Sequence, residues 1–335
     1  YTNPAQLKEH GPHVISSGNG VYVTDNDNNS FIEGMSGLWC TSLGFSENKL
    51  IEAAVNQMRE LPFYHSFTAK TSSPAVALAE KLISIAPKQL EKVFFCNSGS
   101  EANDTAIKMV WYYQASLGRP EKKKIISRRR GYHGVTIGAA SLTALPYAQD
   151  GFGLPLDFAK HTSSPHFFAD AYDQECESDF VRRIINELEE LIEFEGADTI
   201  GALIAEPVMG AGGVIIPPKG YFEALQAVLK KHSILLIADE VICGFGRTGN
   251  MWGSQTYDLR PDIVTCAKAL SSSYLPISAV LVSSEIVRGV EEQAEKLGIF
   301  GHGYTYSAHP VSAAVALRTL ELMEEKNIVS HVQSV

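Results

Sequence analysis

The sequence predicts an α/β fold: a large domain with a mainly parallel central sheet covered by helices, plus a small N-terminal lobe. Three observations carry this expectation. Short apolar runs near 124–127, 200–205, 234–238, 263–267 and 277–282 read as strands buried on both faces, because none shows the polar alternation of a half-solvated strand. Helical periodicity interleaves with them near 178–194 and 220–231, and alternating strands and helices imply crossover connections. Residues 1–35, by contrast, alternate with Gly, Asn and Asp, as in Gly18-Asn19-Gly20-Val21-Tyr22-Val23, the pattern of short strands joined by tight turns.

In chain order, 1–48 is the N-terminal lobe and 49–308 the large domain. Helices are expected at 49–60 and 74–86, then the strand Val93-Phe94-Phe95-Cys96 and a helix from about 99 to 117; 309–335 is a terminal helical stretch. The 335 residues exceed the size at which one core usually stops growing, so a large domain with small appendages is expected. The formal net charge of -10 argues against nucleic acid or an anionic membrane as partner, since both demand clustered cations. The one basic cluster, Lys122-Lys123-Lys124 with Arg128-Arg129-Arg130, reads as a solvated rim or a dimer-interface face. Cys40, Cys96, Cys176, Cys243 and Cys266 are odd in number and lie mostly in apolar runs, as buried thiols in a reducing compartment would. No apolar stretch reaches spanning length, so cytoplasmic residence is the default expectation.

The chemistry is concentrated at strand ends. Lys268 closes Asp262-Ile263-Val264-Thr265-Cys266-Ala267, and Asp239 closes Ile234-Leu235-Leu236-Ile237-Ala238. Charges there are tolerable when paired or completed by a ligand, and ligands of open α/β sheets bind at the carboxyl ends of strands. Asn97-Ser98-Gly99-Ser100-Glu101 opens a helix, which supplies free N–H groups and a favourable dipole for an anion. An amine, a buried carboxylate and a phosphate cradle together suggest pyridoxal phosphate. Taken singly, each has a plainer reading: a snorkelling lysine, a turn-capping aspartate, a serine N-cap without ligand. Glu240 points to the other face of its strand and reads as structural.

Phe95-Cys96-Asn97-Ser98-Gly99-Ser100-Glu101-Ala102, Gly131-Tyr132-His133-Gly134, Ala205-Glu206-Pro207-Val208, Ala238-Asp239-Glu240-Val241 and Ala267-Lys268-Ala269-Leu270-Ser271 resemble the class III pyridoxal-phosphate aminotransferases, in order and separation. Gly37-Leu38-Trp39-Cys40, Leu61-Pro62-Phe63-Tyr64-His65 and Ile242-Cys243-Gly244-Phe245-Gly246-Arg247-Thr248-Gly249 bring the resemblance closer to the omega-amino acid:pyruvate transaminases.

The resemblance implies a fold-type-I homodimer that moves an amino group from an amine or omega-amino acid to a keto acid, with pyruvate the expected acceptor. It implies that Lys268 carries the cofactor as a Schiff base and shuttles the proton, and that Asp239 holds the pyridine nitrogen protonated. Ser98, Gly99 and Ser100 would bind the phosphate, Tyr132 and Val241 would sandwich the ring, and Glu206 would stand behind the substrate side. His133 is counted with the cofactor residues; with His302 and His309 it is read as a hydrogen-bonded loop residue. Thr305 would reach the phosphate of the neighbouring subunit, while Trp39, Phe63 and Tyr64 would wall the substrate pocket. Core packing and turn roles are the plainer readings of these residues, and a strand-end salt bridge is the plainer reading of Glu206.

Relatives usually continue into a C-terminal subdomain of roughly a hundred residues, which often supplies an arginine for the substrate carboxylate. Residues 309–335 read as the helix leading toward it, and neither Arg247 nor Arg288 can be named as a substitute from sequence. Ala269 and Ser273 stand where relatives often carry Gly. Gly244-Phe245-Gly246-Arg247-Thr248-Gly249 matches a dinucleotide fingerprint, but Asn250-Met251-Trp252-Gly253 does not continue as a helix, so a structural loop is expected. His10 and His13 lack supporting ligands at metal-site spacing, and no metal is expected.

Overall fold

The computed structural model describes residues 3–335. A small antiparallel sheet, order β1-β2-β3, is formed by β1 (Ile15–Asn19), β2 (Tyr22–Asp25) and β3 (Ser30–Ile32). The main sheet contains β4 (Leu90–Cys96), β5 (Lys124–Arg128), β6 (Ala159–Thr162), β7 (Ile200–Ala205), β8 (Leu235–Asp239), β9 (Ile263–Cys266) and β10 (Ser278–Ser283), in the order β4-β10-β9-β8-β7-β5-β6. β10 runs antiparallel to both neighbours, β4 and β9, and every other pairing is parallel. All strands except β10 therefore deliver their carboxyl ends to one edge, and β10 starts from that same edge.

Helices cover both faces. The Glu177–Glu195 helix buries Phe180, Ile184, Leu188 and Ile192, one per turn, and packs with the Tyr221–Lys231 helix over β5, β7 and β8. On the opposite face the Gly99–Ser116 helix buries Ala102, Ala106, Met109, Val110 and Tyr113 against β5, β7 and β10. A third cluster joins the Ser73–Ile85 and Pro310–Glu325 helices to β4, β9 and β10 around Trp252, whose indole N–H donates to the Ile85 carbonyl at 2.7 Å. The Ser284–Leu297 helix and β6 lie outside the periodic segments read from the sequence.

The charge expectation is corrected at two residues of the basic cluster. Lys122 and Arg128 are buried rather than at a solvated rim. Lys122 Nζ donates to the Ser233 carbonyl at 3.0 Å, and Arg128 Nη2 donates to the Glu206 carbonyl at 2.6 Å, so both cations serve as backbone clasps between strand ends. Cys176 is exposed, unlike the four other thiols. His13 Nε2 pairs with Asp25 Oδ2, and His309 is hydrogen-bonded through its backbone, donating its N–H to the Tyr306 carbonyl at 3.2 Å and accepting the Ala313 N–H at 2.9 Å. The glycine-rich 244–249 segment is a turn, not a helix start; Phe245 packs on Trp252.

Glu240, the residue after β8, has the structural role its alternation predicts. Its two carboxyl oxygens accept the backbone N–H groups of Gly253 and Ser254 at 2.9 and 2.6 Å, and burial pushes its pKa up to about 7. The folded chain thus holds a proton that the unfolded chain releases near 4.5, so Glu240 makes stability fall as pH rises from 4.5 to about 7. Glu240→Ala leaves two buried donors unpaired. Urea denaturation is expected to show a loss of roughly 1–3 kcal/mol for each, together with a flattened pH profile across that window.

Candidate active site

A cavity of about 350 Å³ opens at the edge where the strand ends converge. Ser98, Gly99, Ser100, Tyr132, His133, Glu206, Asp239, Val241 and Lys268 all line it, arriving from the ends of β4, β5, β7, β8 and β9. The topology alone explains this assembly, because each residue follows a strand that points the same way.

Asp239 is buried and held by three donors. Asn103 Nδ2 and His133 Nδ1 donate to Oδ2 at 2.9 and 2.8 Å, and the Val241 N–H donates to Oδ1 at 3.1 Å. The carboxylate acceptor assigns the ring hydrogen of His133 to Nδ1. Asn103 donates also to the His133 carbonyl at 2.6 Å, so the same amide fixes both partners. A carboxylate has about four acceptor positions, which leaves Oδ1 able to take one more N–H.

Lys268 follows β9 in a left-handed conformation, φ 50°, at the start of a 3₁₀ turn. Burial pulls its amine below the ordinary lysine value, against the opposing pull of the Asp239 and Glu206 carboxylates. Its Nζ lies 5.8 Å from the centre of the Trp39 ring. Trp39 itself ends a turn, Ser36–Trp39, in which all four residues have positive φ. Left-handed turns cost roughly 1–2 kcal/mol per L-residue.

The anion cradle is the first turn of the Gly99–Ser116 helix. Ser98 is its N-cap, accepting the Glu101 N–H at 3.2 Å, while Glu101 Oε2 reaches back to the Asn97 N–H at 2.8 Å. Helix geometry leaves the next N–H groups without internal acceptors, facing the cavity. Ser100 Oγ accepts the Val135 N–H at 3.0 Å and retains its own hydrogen for donation. Close approach requires glycine at Gly134, where a Cβ would stand 2.8 Å from Ser100 Cα.

A model of the class III aminotransferases matches residues 5–335. The chain belongs to this family. It is 52% identical over 325 residues to gamma-aminobutyrate transaminase 1, mitochondrial, of Oryza sativa subsp. japonica, covering 97% of this chain and 63% of that protein. It is 51% identical to the vanillin aminotransferase of Capsicum annuum, covering 97% of this chain and 71% of the relative. Among solved structures, the omega transaminase from Pseudomonas jessenii in complex with PMP superposes with a TM-score of 0.98 at 53% identity, covering 99% of this chain and 73% of that one. The chain thus spans less than two thirds of the length of the rice relative.

Class III aminotransferases use pyridoxal phosphate, and the donor set of this cavity fits that group. A helix N-terminus with two serines suits a phosphate, the remaining acceptor position of Asp239 suits a ring N–H, and a buried amine of lowered pKa suits an aldehyde. Glu206 is fully buried, with its pKa raised by burial. Its two oxygens accept the Tyr132 and Gly210 N–H groups at 3.1 and 3.0 Å, so it braces the Tyr132 segment through backbone, not through a salt bridge.

Four expected residues lie outside the cavity lining: Trp39, which approaches it only through the 5.8 Å contact of its ring with Lys268 Nζ, and Phe63, Tyr64 and Thr305. Phe63 and Tyr64 are half-exposed; Phe63 packs edge-on against Tyr306 at 5.6 Å, and Tyr64 stacks on His65 at 4.8 Å. Thr305 is exposed on the 301–308 segment. Asn103 is the residue that sequence reading missed. It shares a helix face with Gly99, Ala106 and Val110, and an amide in such a stripe signals an internal hydrogen-bond partner.

No group of three or more potential ligands that could hold a metal occurs among the described residues, and no helix among them is long and apolar enough to cross a membrane. His133→Leu removes one charge-assisted donor from Asp239, worth roughly 1.5–3 kcal/mol. Pyridoxal phosphate affinity of the apoprotein, titrated by fluorescence, is expected to fall by roughly ten- to hundredfold.

Proposed function

We propose that this chain moves an amino group from an amine or omega-amino acid to a keto acid, with pyruvate as acceptor. The observation that carries the reading is the shared cavity: Lys268, whose amine burial keeps poised toward the neutral form, and Asp239, whose carboxylate three donors hold, line one space beside a helix N-terminus.

Bound pyridoxal phosphate supplies an aldehyde that condenses with primary amines and a protonated ring that takes up electrons released at the donor carbon. Asp239 keeps Oδ1 available to the ring N–H, and His133 and Asn103 stop the carboxylate from turning away. The N–H groups and hydroxyls of Ser98, Gly99 and Ser100 bind the phosphate. Tyr132 and Val241 enclose the ring, with Glu206 fixing the Tyr132 backbone. Lys268 Nζ, neutral for part of each cycle, would carry a proton from the donor carbon next to nitrogen to the carbon that was the cofactor's aldehyde. Trp39 stands over this amine and limits the substituents that fit.

In this reading the working unit is a homodimer in which Thr305 completes the neighbouring subunit's phosphate site. The exposure of Thr305 supports it, as does the exposed apolar stripe Ile51, Val55 and Met58 on the Asn48–Glu60 helix, which suits a covered face. The buried thiols Cys40, Cys96, Cys243 and Cys266 suit a reducing compartment, taken as the cytoplasm. Relatives named for gamma-aminobutyrate make that omega-amino acid the first donor to test.

Borohydride reduction after incubation with pyridoxal phosphate is expected to fix the pyridoxyl group on Lys268, read by peptide mass mapping, and Lys268→Ala is expected to lose both the label and turnover. A folded wild-type chain that takes up no label at Lys268 contradicts the reading. In a panel with gamma-aminobutyrate as donor, faster turnover with pyruvate than with 2-oxoglutarate is expected; the reverse order removes pyruvate as the acceptor.

A further inference from the structure

The Trp39 turn is uphill by itself. Ser36, Gly37, Leu38 and Trp39 have φ values of 49, 57, 75 and 60°, and only Gly37 adopts that region without penalty. Such a turn persists when its surroundings over-determine it. Its internal bonds run from the Trp39 N–H to the Met35 carbonyl at 2.7 Å and from the Cys40 and Thr41 N–H groups to the Ser36 carbonyl at 2.9 and 2.8 Å.

The external hold comes from the far side of the lysine. After Lys268 the chain passes through two more left-handed residues, Ser272 and Ser273, at φ 48 and 61°. Ser272 Oγ then accepts the Leu43 N–H at 3.0 Å. The Tyr274 hydroxyl donates to the Gly44 carbonyl at 2.9 Å and accepts the Glu47 N–H at 2.6 Å. Its ring packs against the Leu50, Val315 and Leu322 cluster, which fixes where the hydroxyl stands. The segment that carries Trp39 is therefore tied at three backbone groups to the segment that carries Lys268. Neither Ser272 nor Tyr274 lines the cavity.

We propose that Tyr274, with Ser272, is a positioning residue that sets how far the Trp39 ring stands from the Lys268 amine, and so how bulky an amine the site accepts. The size preference rests on the aminotransferase reading above; the clamp does not. With an anchor removed, the left-handed turn relaxes toward favoured backbone conformations and the ring leaves its place over Nζ.

Tyr274→Phe keeps the packed ring and deletes only the hydroxyl. In the full chain loaded with pyridoxal phosphate, hydrogen–deuterium exchange over residues 36–47 is expected to quicken on the order of tenfold or more, the worth of the two hydrogen bonds lost, while the Gly99–Ser116 helix exchanges as before. The kcat/KM ratio for a branched amine over a straight-chain amine is expected to rise by a similar factor. Ser272→Ala, which removes the other anchor, is expected to move both readouts in the same direction. Unchanged exchange at 36–47 overturns the proposal, and faster exchange with an unchanged ratio reduces the clamp to a structural contact and overturns the positioning role. If the wild type turns over no amine, the aminotransferase reading fails, and exchange at 36–41 still decides whether Tyr274 holds the Trp39 turn.

Discussion

The site depends on holding a carboxylate in place inside a protein. Asp239 is almost fully buried at the end of β8, where an unpaired charge would cost several kcal/mol. Asn103, His133 and the Val241 N–H make it tolerable, and they come from three different parts of the chain. The fold brings them together only because β5 and β8 run in the same direction and the Gly99–Ser116 helix crosses behind them. Lys268 lives under the opposite pressure. Burial favours its neutral form, so one desolvated edge holds this amine beside a carboxylate that hydrogen bonds keep in place.

Backbone strain gathers around the same amine. Lys268, Ser272, Ser273 and the Ser36–Trp39 turn are all left-handed; Lys268 and Ser273 line the cavity, and the Trp39 ring stands 5.8 Å from the amine. Regular hydrogen bonding dominates the neighbouring strands, whose core residues are fully buried. The strand ends thus hold the buried carboxylate, whereas the strained turns stand on the other side of the Lys268 amine.

Much of this was legible in the sequence, for a physical reason. β7 was read at its observed bounds, 200–205, because a strand buried on both faces has no polar residue to blur it. Asp239 and Lys268 stood out because charge at the end of an apolar run demands an explanation. The reversed direction of β10 could not be read, since an apolar run carries no polarity of its own. Lys122 and Arg128 looked like a solvated cluster because their partners, the carbonyls of Ser233 and Glu206, are backbone groups that any sequence supplies. The Tyr274 clamp was hidden for the same reason: its partners are the backbone of Gly44 and Glu47, more than two hundred positions away.

The proposed function rests on Asp239 Oδ1 accepting a ring N–H. Nitrogen-15 NMR of the protein loaded with ring-labelled pyridoxal phosphate tests it most directly. A nitrogen that carries hydrogen throughout the neutral pH range in the wild type, and loses it in Asp239→Asn, is the expected result. A wild-type resonance at the position of an unprotonated pyridine would contradict it.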